Sequence, residues 1–125
     1  MTNLTDLDIS NNNITSLDEI SNFTKLEYLK ISINQIKNID FLSNNKRLTE
    51  ILMWDNQIKE ISCLSNCARL QKLNFTNNCV EDISSLADLR CLVFVNGKGN
   101  LISDEKIKIF KRSLRSSHYE HNINL

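Results

Sequence analysis

Proline is absent from this chain of 125 residues, and glycine occurs only twice, at Gly97 and Gly99. A composition so poor in both residues excludes a collagen-like region and gives no sign of a flexible linker. No run of about 20 apolar residues is present, so no membrane-spanning helix is expected. The N-terminal residues have neither a basic flank nor a long apolar run, so no signal peptide is predicted.

An excess of charge of one sign is also missing. The 15 basic and 15 acidic residues cancel to a formal net charge of zero, so net charge provides no attraction to nucleic acid or to an anionic membrane. The two histidines, His118 and His121, lie near the C-terminus, far in sequence from the cysteines. No glycine-rich phosphate loop is present. The sequence therefore predicts neither an enzyme nor a cofactor, and neither a nucleic-acid nor a membrane partner.

What the chain does contain is a repeat. The clearest copy runs from Leu26 to Arg47, and its apolar residues are spaced as neither a helix nor a strand would have them throughout. Apolar columns recur at a fixed step of 22 residues, and the copies begin at Leu4, Leu26, Leu48, Leu70 and Leu92. A column of asparagines runs in phase with them, at Asn12, Asn34, Asn56, Asn78 and Asn100.

These columns match the pattern L-x-x-L-x-L-x-x-N-x-L. From Leu4 to about Ile102 the sequence resembles the leucine-rich repeat family, specifically the 22-residue type of phosphatase regulators and bacterial internalins. The resemblance implies an α/β fold: a right-handed solenoid, part of a horseshoe, with a short parallel sheet on its concave face. It also implies that the asparagine column forms a structural ladder of hydrogen bonds to backbone groups that the turns leave unpaired.

Two segments of the repeat have predictable local structure. Leu29 and Ile31 alternate with polar residues at a period of 2, which predicts a short strand. The segment from Asp40 to Asn45 is too short for an α-helix and predicts extended chain or a 3₁₀ turn. Little helix is therefore expected before the C-terminus.

The repeat pattern changes at Gly97, where the family has an apolar residue. Because Gly97 and Gly99 tolerate dihedral angles that other residues resist, we expect the coil to open there. The solenoid is thus predicted to span residues 1–102, followed by a capping helix over residues 103–117. Ser103 is the expected N-cap, with acidic residues in the first turn and basic residues in the last.

The segment that leads into this helix resembles the C-terminal cap of bacterial leucine-rich repeat proteins, with Leu101 where a proline is usual. The basic residues of the helix are interpreted as a solvated outer face, and contact with phosphate or anionic lipid is the alternative. They are Lys106, Lys108, Lys111, Arg112 and Arg115. Residues 118–125 are predicted to form a polar tail, with packing of Ile123 and Leu125 against the solenoid as an alternative.

Function is expected on the outward face of the sheet. Tyr28, Leu52 and Trp54 form an apolar, aromatic centre there, to which Ile33 and Phe94 can add, with charged residues around it. Such anatomy is typical of a surface that binds a protein partner. The predicted partner-binding residues are Tyr28, Lys30, Glu50, Leu52, Trp54, Asp55, Lys72, Asn74 and Phe94. In the alternative interpretation, Trp54 and Leu52 only fill the inside of the curve.

The first repeat has no evident N-terminal cap, although a solenoid usually needs a polar one. Three explanations remain open: the chain is a C-terminal fragment of a longer repeat protein, the first coil frays, or two copies form a homodimer through this edge. An unpaired strand near Leu7 can template such pairing.

Four cysteines are interpreted as reduced thiols of a cytoplasmic protein, because intracellular thiols are kept reduced. They are Cys63, Cys67, Cys79 and Cys91. Disulfides between neighbouring columns remain an alternative, as does secretion after removal of a leader. A metal site at Cys63 and Cys67 is disfavoured, because no histidine and no second pair of ligands lie nearby in the sequence.

Overall fold

A computed structural model describes residues 3–114 and 122–125. Its strands form one open sheet in which all pairings are parallel and the strands follow in chain order. They are β1 (Asp6–Asp8), β2 (Tyr28–Lys30), β3 (Glu50–Leu52), β4 (Lys72–Asn74), β5 (Phe94–Asn96) and β6 (Asn122–Asn124). Opposite the sheet lie 3₁₀ helices at Asp18–Asn22, Asp40–Asn44, Ser62–Asn66 and Ser84–Leu86, and one α-helix, α1, spans Asp104–Leu114. The predicted repeat solenoid with a C-terminal helix is confirmed.

The strand register follows the sequence period. Leu7 pairs with Leu29, and Leu29 pairs with Ile51, so each strand meets the equivalent residues of the next coil. In β2 to β5 the central residue is fully buried, whereas the residues on either side of it retain exposed surface. The period-2 alternation therefore divides each strand into one inward and two outward side chains.

The core lies between the sheet and the 3₁₀ helices. In the second repeat, Leu26, Leu29, Ile31 and Ile36 have no exposed surface. Burial of one such side chain stabilises the fold by about 1.5–3 kcal/mol. The 3₁₀ turn predicted from Asp40 onward is confirmed, and its Leu42 is also fully buried. Each coil thus contributes apolar groups from both of its sides to one continuous core.

Helix α1 begins after the predicted N-cap. The backbone N–H of Lys106 donates to Ser103 Oγ at 3.2 Å, which confirms the cap. Phe110 is 2 % exposed and joins the core, so α1 covers the last coil. Residues 115–117, with Arg115, lie outside the described residues, as do His118 and His121.

The coil does not open at Gly97, contrary to the sequence-based expectation. β5 stays in register with β4, and Gly97 N–H donates to Asn124 O at 2.8 Å. A Cβ atom on Gly97 would lie 2.4 Å from Phe75 Cζ and 2.8 Å from Leu125 Cδ2. Position 97 therefore holds glycine because neighbouring side chains fill the space that a side chain would need. Of the two glycines, only Gly99, with φ of 72°, has a left-handed conformation.

The end of the chain adds a strand. Residues 122–124 form β6 parallel to β5. Ile123 and Leu125 pack against the core, so the alternative prediction of packing is confirmed for these two residues. Residues 118–121 of the predicted tail lie outside the described residues. The C-terminal end of the stack is thus covered by both α1 and β6.

Candidate functional site

The outward surface of the sheet, called the sheet face below, is built by the strand periodicity. It consists of the first and third residue of each strand from β1 to β5, and the residue two positions after each strand. Its members are Asp6, Asp8, Ser10, Tyr28, Lys30, Ser32, Glu50, Leu52, Trp54, Lys72, Asn74, Thr76, Phe94, Asn96 and Lys98. Parallel pairing brings residues that are 22 positions apart in sequence side by side on this surface.

The register places most of the predicted binding residues in two rows across the strands, and the remaining two lie just after β3. The first row is Tyr28, Glu50, Lys72 and Phe94, the second is Lys30, Leu52 and Asn74, and Trp54 and Asp55 follow β3. Neighbouring strands lie about 4.8 Å apart, so three strand steps put Phe94 about 14 Å from Tyr28. Phe94 is therefore not part of the aromatic centre, whereas the other apolar members lie on adjacent strands.

Trp54 is held over the neighbouring coil. The Lys30 ammonium lies 5.0 Å from the centroid of the Trp54 ring, which is within the range of a cation–π contact. The backbone N–H of Trp54 donates to Ser32 Oγ at 3.2 Å, and Ser32 has no exposed surface although it belongs to the sheet face. The indole is half-buried. It is thus an oriented aromatic side chain with part of its surface open.

Other predicted residues are tied to neighbours by polar contacts. Lys72 Nζ lies 3.9 Å from Glu50 Oε1 in a largely solvated ion pair, which contributes little to stability. Asp55 Oδ1 accepts a hydrogen bond from Asn77 Nδ2 at 2.8 Å. Asn74 Oδ1 accepts from Thr76 Oγ1 at 2.7 Å. These contacts fix the direction of polar groups around Leu52 and Trp54.

Carboxylates gather at the β1 end of the sheet face. Burial raises the pKa of Tyr28, and the charges of Glu50, Asp8 and Asp6 add to this effect, so its phenol stays protonated near neutral pH. A hydrogen bond from the Ser10 backbone N–H lowers the pKa of Asp8, so its carboxylate is charged. The sheet face therefore changes from acidic near β1 to lysine-bearing near β4 and β5.

The asparagine column connects successive coils. Asn56 Oδ1 accepts the N–H of Ile36 at 3.0 Å, and its Nδ2 donates to Ile31 O at 3.0 Å, both in the preceding coil. Asn34, Asn78 and Asn100 make the equivalent bonds. The Asn12 side chain donates only within its own coil, to Ile9 O and Ser10 O, whereas its backbone N–H donates to Asn34 Oδ1 in the next coil. Each of the four later asparagines thus satisfies backbone groups of two coils.

A second set of polar links, on the far side of the coil, was not foreseen from the sequence. Asn45 is fully buried and its Nδ2 donates to Ile20 O and Phe23 O, at 3.0 and 2.9 Å. One coil later Cys67 occupies the same column, and its Sγ lies 3.7 Å from Leu42 O. The sequence feature that could have revealed these links is Asn45 itself, a polar residue in a column that otherwise holds Phe23, Cys67 and Leu89.

Cys63 has a similar structural environment. Its Sγ lies 3.1 Å from Ile39 O, and Ser85 takes its place in the next coil. Burial raises the pKa of Cys63 to about 12 and that of Cys67 to about 11, so neither thiol is ionised near neutral pH. All four cysteines are free. Within residues 3–114 and 122–125, no cluster of three potential His, Cys, Asp or Glu ligands could hold a metal ion.

Another feature missed from the sequence is a column of left-handed residues just past the sheet face. Positive φ angles of 57–72° occur at Asn11, Ile33, Asp55, Asn77 and Gly99. Asparagine, aspartate and glycine tolerate this region, whereas for other residues it costs about 1–2 kcal/mol. The signal was the recurrence of these three residue types at the step of 22. Ile33 is the exception.

Comparison with solved structures supports an assignment. The chain is similar to internalin C2 from Listeria monocytogenes, with a TM-score of 0.89 and 28% identity over 99% of this chain and 52% of that one. It is also similar to the functional domain of InlJ from the same organism, with a TM-score of 0.76 and 25% identity over 82% of this chain and 22% of that one. It therefore spans about half, or less, of the length of these proteins.

The InlJ domain is described as including a cysteine ladder. In the present chain no two cysteines share a column, because Phe41 and Asn45 precede Cys63 and Cys67 by one coil. An internalin F structure from Listeria monocytogenes has the same fold, with a TM-score of 0.73 and 21% identity over 98% of this chain and 43% of that one.

No helix in the described ranges is both long and apolar enough to cross a membrane.

Two further comparisons complete the assignment. A search of curated proteins found no match. The family model described as Leucine Rich repeats (2 copies) matches residues 2–44 and 46–107. The chain therefore belongs to the leucine-rich repeat family, whose fold is a common protein–protein interaction module and is typically not catalytic.

Proposed function

We propose that this protein binds a protein partner through its sheet face, with Trp54 as the main anchor. The observation that carries the proposal is the packing of Trp54, whose ring is oriented by Lys30 at 5.0 Å and whose indole remains partly exposed. Nothing in the repeat pattern requires an aromatic residue at this position, since Ser10, Ser32, Thr76 and Lys98 occupy it in the other coils.

The physical basis is the combination of apolar area and pre-organisation. Tryptophan and tyrosine are over-represented among the residues that dominate binding energy, because a rigid ring buries a large area at low entropic cost. Leu52 extends the apolar area beside Trp54 on the same coil, and Tyr28 lies on the adjacent strand, two residues before the Lys30 that pairs with Leu52. The polar groups of Asn74 and Asp55 are already oriented by hydrogen bonds from Thr76 and Asn77, so a partner has fewer flexible groups to immobilise in this area.

The experiment is affinity capture followed by titration. The wild-type protein is used as bait, and the proteins that it captures are identified. The affinity of each captured protein is then measured by calorimetry for wild type, Trp54→Ala and Tyr28→Ala. We expect Trp54→Ala to weaken binding by about 10- to 100-fold, the usual effect at a central aromatic anchor. Lys59→Ala, at an exposed position outside the sheet face, is the control and should bind like wild type. Equal affinity of all variants contradicts the proposal.

Association between copies through the first coil is a second candidate. Among the described residues, β1 pairs only with β2, so one edge of β1 carries unpaired backbone groups. Leu4 and Leu7 beside this edge are only partly buried. Size-exclusion chromatography with light scattering tests this candidate. A dimer that Leu7→Lys disrupts supports it, and a monomer at high concentration contradicts it.

Three related expectations remain predictions. They are the lack of catalytic activity in this chain, the lack of nucleic-acid and membrane partners, and a cytoplasmic location with secretion as the alternative. Cell fractionation of a tagged full-length protein tests the location.

A further inference from the structure

Ile33 has a backbone conformation that its side chain disfavours. Its φ of 57° lies in the left-handed region, where the two branches at Cβ make isoleucine one of the least suited residues. The equivalent positions in the other coils hold Asn11, Asp55, Asn77 and Gly99, all of a type that accepts this region. Every repeat except the second therefore has a residue in this column that tolerates the left-handed conformation.

The fold gives no reason for isoleucine at this position. The Ile33 N–H donates to Trp54 O at 2.9 Å, but Asp55 and Asn77 make the same backbone bond to the next coil. Burial provides no full compensation either, because 46% of the residue's surface is exposed. An unfavourable conformation that persists without a folding benefit points to a role in function.

The location of Ile33 indicates which function. It follows Ser32 on the coil over which the Trp54 ring is oriented, and its own amide is bonded to Trp54. Ile33 therefore lies beside Trp54 on the neighbouring coil, with part of its apolar surface exposed. Asp55 lies on the next coil in the same column as Ile33, and Asp8 lies on the preceding coil, where it pairs with Lys30, whose ammonium is 5.0 Å from the centroid of the Trp54 ring. Because Lys30 already neighbours Asp8, a complementary surface must be apolar at its centre and basic beside Asp55.

Building on the proposed function, we propose that Ile33 and Trp54 together form the specificity-determining contact, and that the partner inserts an aliphatic or aromatic side chain next to a lysine or arginine. The apolar side chain lies against Ile33 and Trp54, and the cation faces Asp55. Isoleucine is kept at the cost of folding stability because its methyl groups contact the partner, which asparagine in the same position does not reproduce.

The first test measures stability. Ile33→Asn puts a tolerated residue into the left-handed position, and we expect its thermal midpoint to rise by about 2–5 °C. Asn11→Ile is the matched control, because it places isoleucine in the same conformation one coil earlier, where φ is 60°. It should lower the midpoint. A midpoint that falls for Ile33→Asn overturns the inference that Ile33 is unfavourable for folding.

The second test measures binding with a displayed library of peptides and small helical domains as the probe. Clones selected against wild-type protein should be enriched in an apolar residue adjacent to lysine or arginine. Their binding to Ile33→Asn should be at least about tenfold weaker, whereas Asn11→Ile should bind as wild type does. Ile33→Val, which keeps a branched side chain, should retain most of the affinity.

The outcomes separate this inference from the proposed function. Clones that lose affinity for Trp54→Ala but bind Ile33→Asn as tightly as wild type overturn the role of Ile33 and leave the proposed function intact. Clones enriched in acidic residues overturn the assigned chemistry of the partner. Clones that are insensitive to both substitutions, or a library that yields none, contradict both proposals.

Discussion

The first repeat and the second carry the same apolar pattern, but their side chains are buried to different degrees. Leu26, Leu29 and Ile31 have no exposed surface, whereas Leu4 and Leu7 remain only partly buried. Within residues 3–114 and 122–125 the second coil has a neighbour on each side and the first has one, which accounts for the difference. In a solenoid, stability is therefore a property of the interfaces between coils as much as of the repeat sequence.

The last coil resembles the interior more than it resembles the first coil. Leu92 is 1% exposed and Val95 is fully buried, because α1 and β6 take the place that a further repeat would have. Ile123 and Leu125 supply apolar groups at this end. The two ends of the stack thus show that coverage by any apolar, hydrogen-bonding layer makes a repeat behave as an internal one.

The largest expected effect comes from the core. Ile31→Ala removes a fully buried side chain and should lower the free energy of unfolding by about 3–4 kcal/mol. Ile9→Ala, one coil earlier in the same column, should lower it by only about 1 kcal/mol because Ile9 is partly solvated. Urea unfolding measures both. Equal losses would show that the first coil is covered in solution.

The asparagine ladder should show the same contrast with smaller values. Asn56→Ala leaves the Ile36 N–H without its partner, whereas the Ile31 carbonyl still accepts from Asn34 Nδ2, and we expect a loss of about 1–3 kcal/mol. Asn12→Ala removes only bonds within an exposed turn and should cost less than about 1 kcal/mol. Chemical denaturation of the pair provides the comparison. A similar cost at both positions is the contrary result.

The covered C-terminal end of the stack should be destabilised by a single added methyl group at Gly97. Gly97→Ala places Cβ within 2.4 Å of Phe75 Cζ, and we expect a loss of about 1–3 kcal/mol from overpacking. Phe75→Leu in the same chain should recover part of it, so the double variant is more stable than the sum of the two single losses predicts. Additive losses in a thermal unfolding cycle would show that Phe75 is not the obstacle.

The smallest effect is expected at the start of α1. Ser103→Ala removes the acceptor for the Lys106 N–H and should lower stability by about 0.5–1 kcal/mol. Ser103→Asp keeps an acceptor and should retain wild-type stability. Circular dichroism during thermal unfolding measures the change. If Ser103→Ala has no effect, the packing of Phe110 and Leu114 against the core is sufficient to hold α1.

Much of this fold could be predicted, because the step of 22 imposes the register. Once Leu29 and Ile51 occupy equivalent positions, parallel pairing of their strands follows. The N-cap at Ser103 could be predicted because it depends only on residues within one helical turn. Local and periodic signals were therefore sufficient for the repeats and for the start of the helix.

Other features depended on contacts that no local pattern contains. Gly97 indicates flexibility when considered alone, but Phe75 and Leu125 explain it by filling its space. The sequence allowed Phe94 to join the aromatic centre of the sheet face, yet the register separates Phe94 from Tyr28. The orientation of the Trp54 ring over Lys30 also required the neighbouring coil. These are distances between side chains from different repeats.

The sequence by itself determined that this protein is a stack of equal coils, because the recurrence of leucine and asparagine at one spacing allows no other shared core. Only the tertiary structure decided how the stack ends and what its sheet face presents. The closure by β6, the space at Gly97 and the left-handed conformation of Ile33 all result from packing between coils, and packing depends on which side chains meet in space.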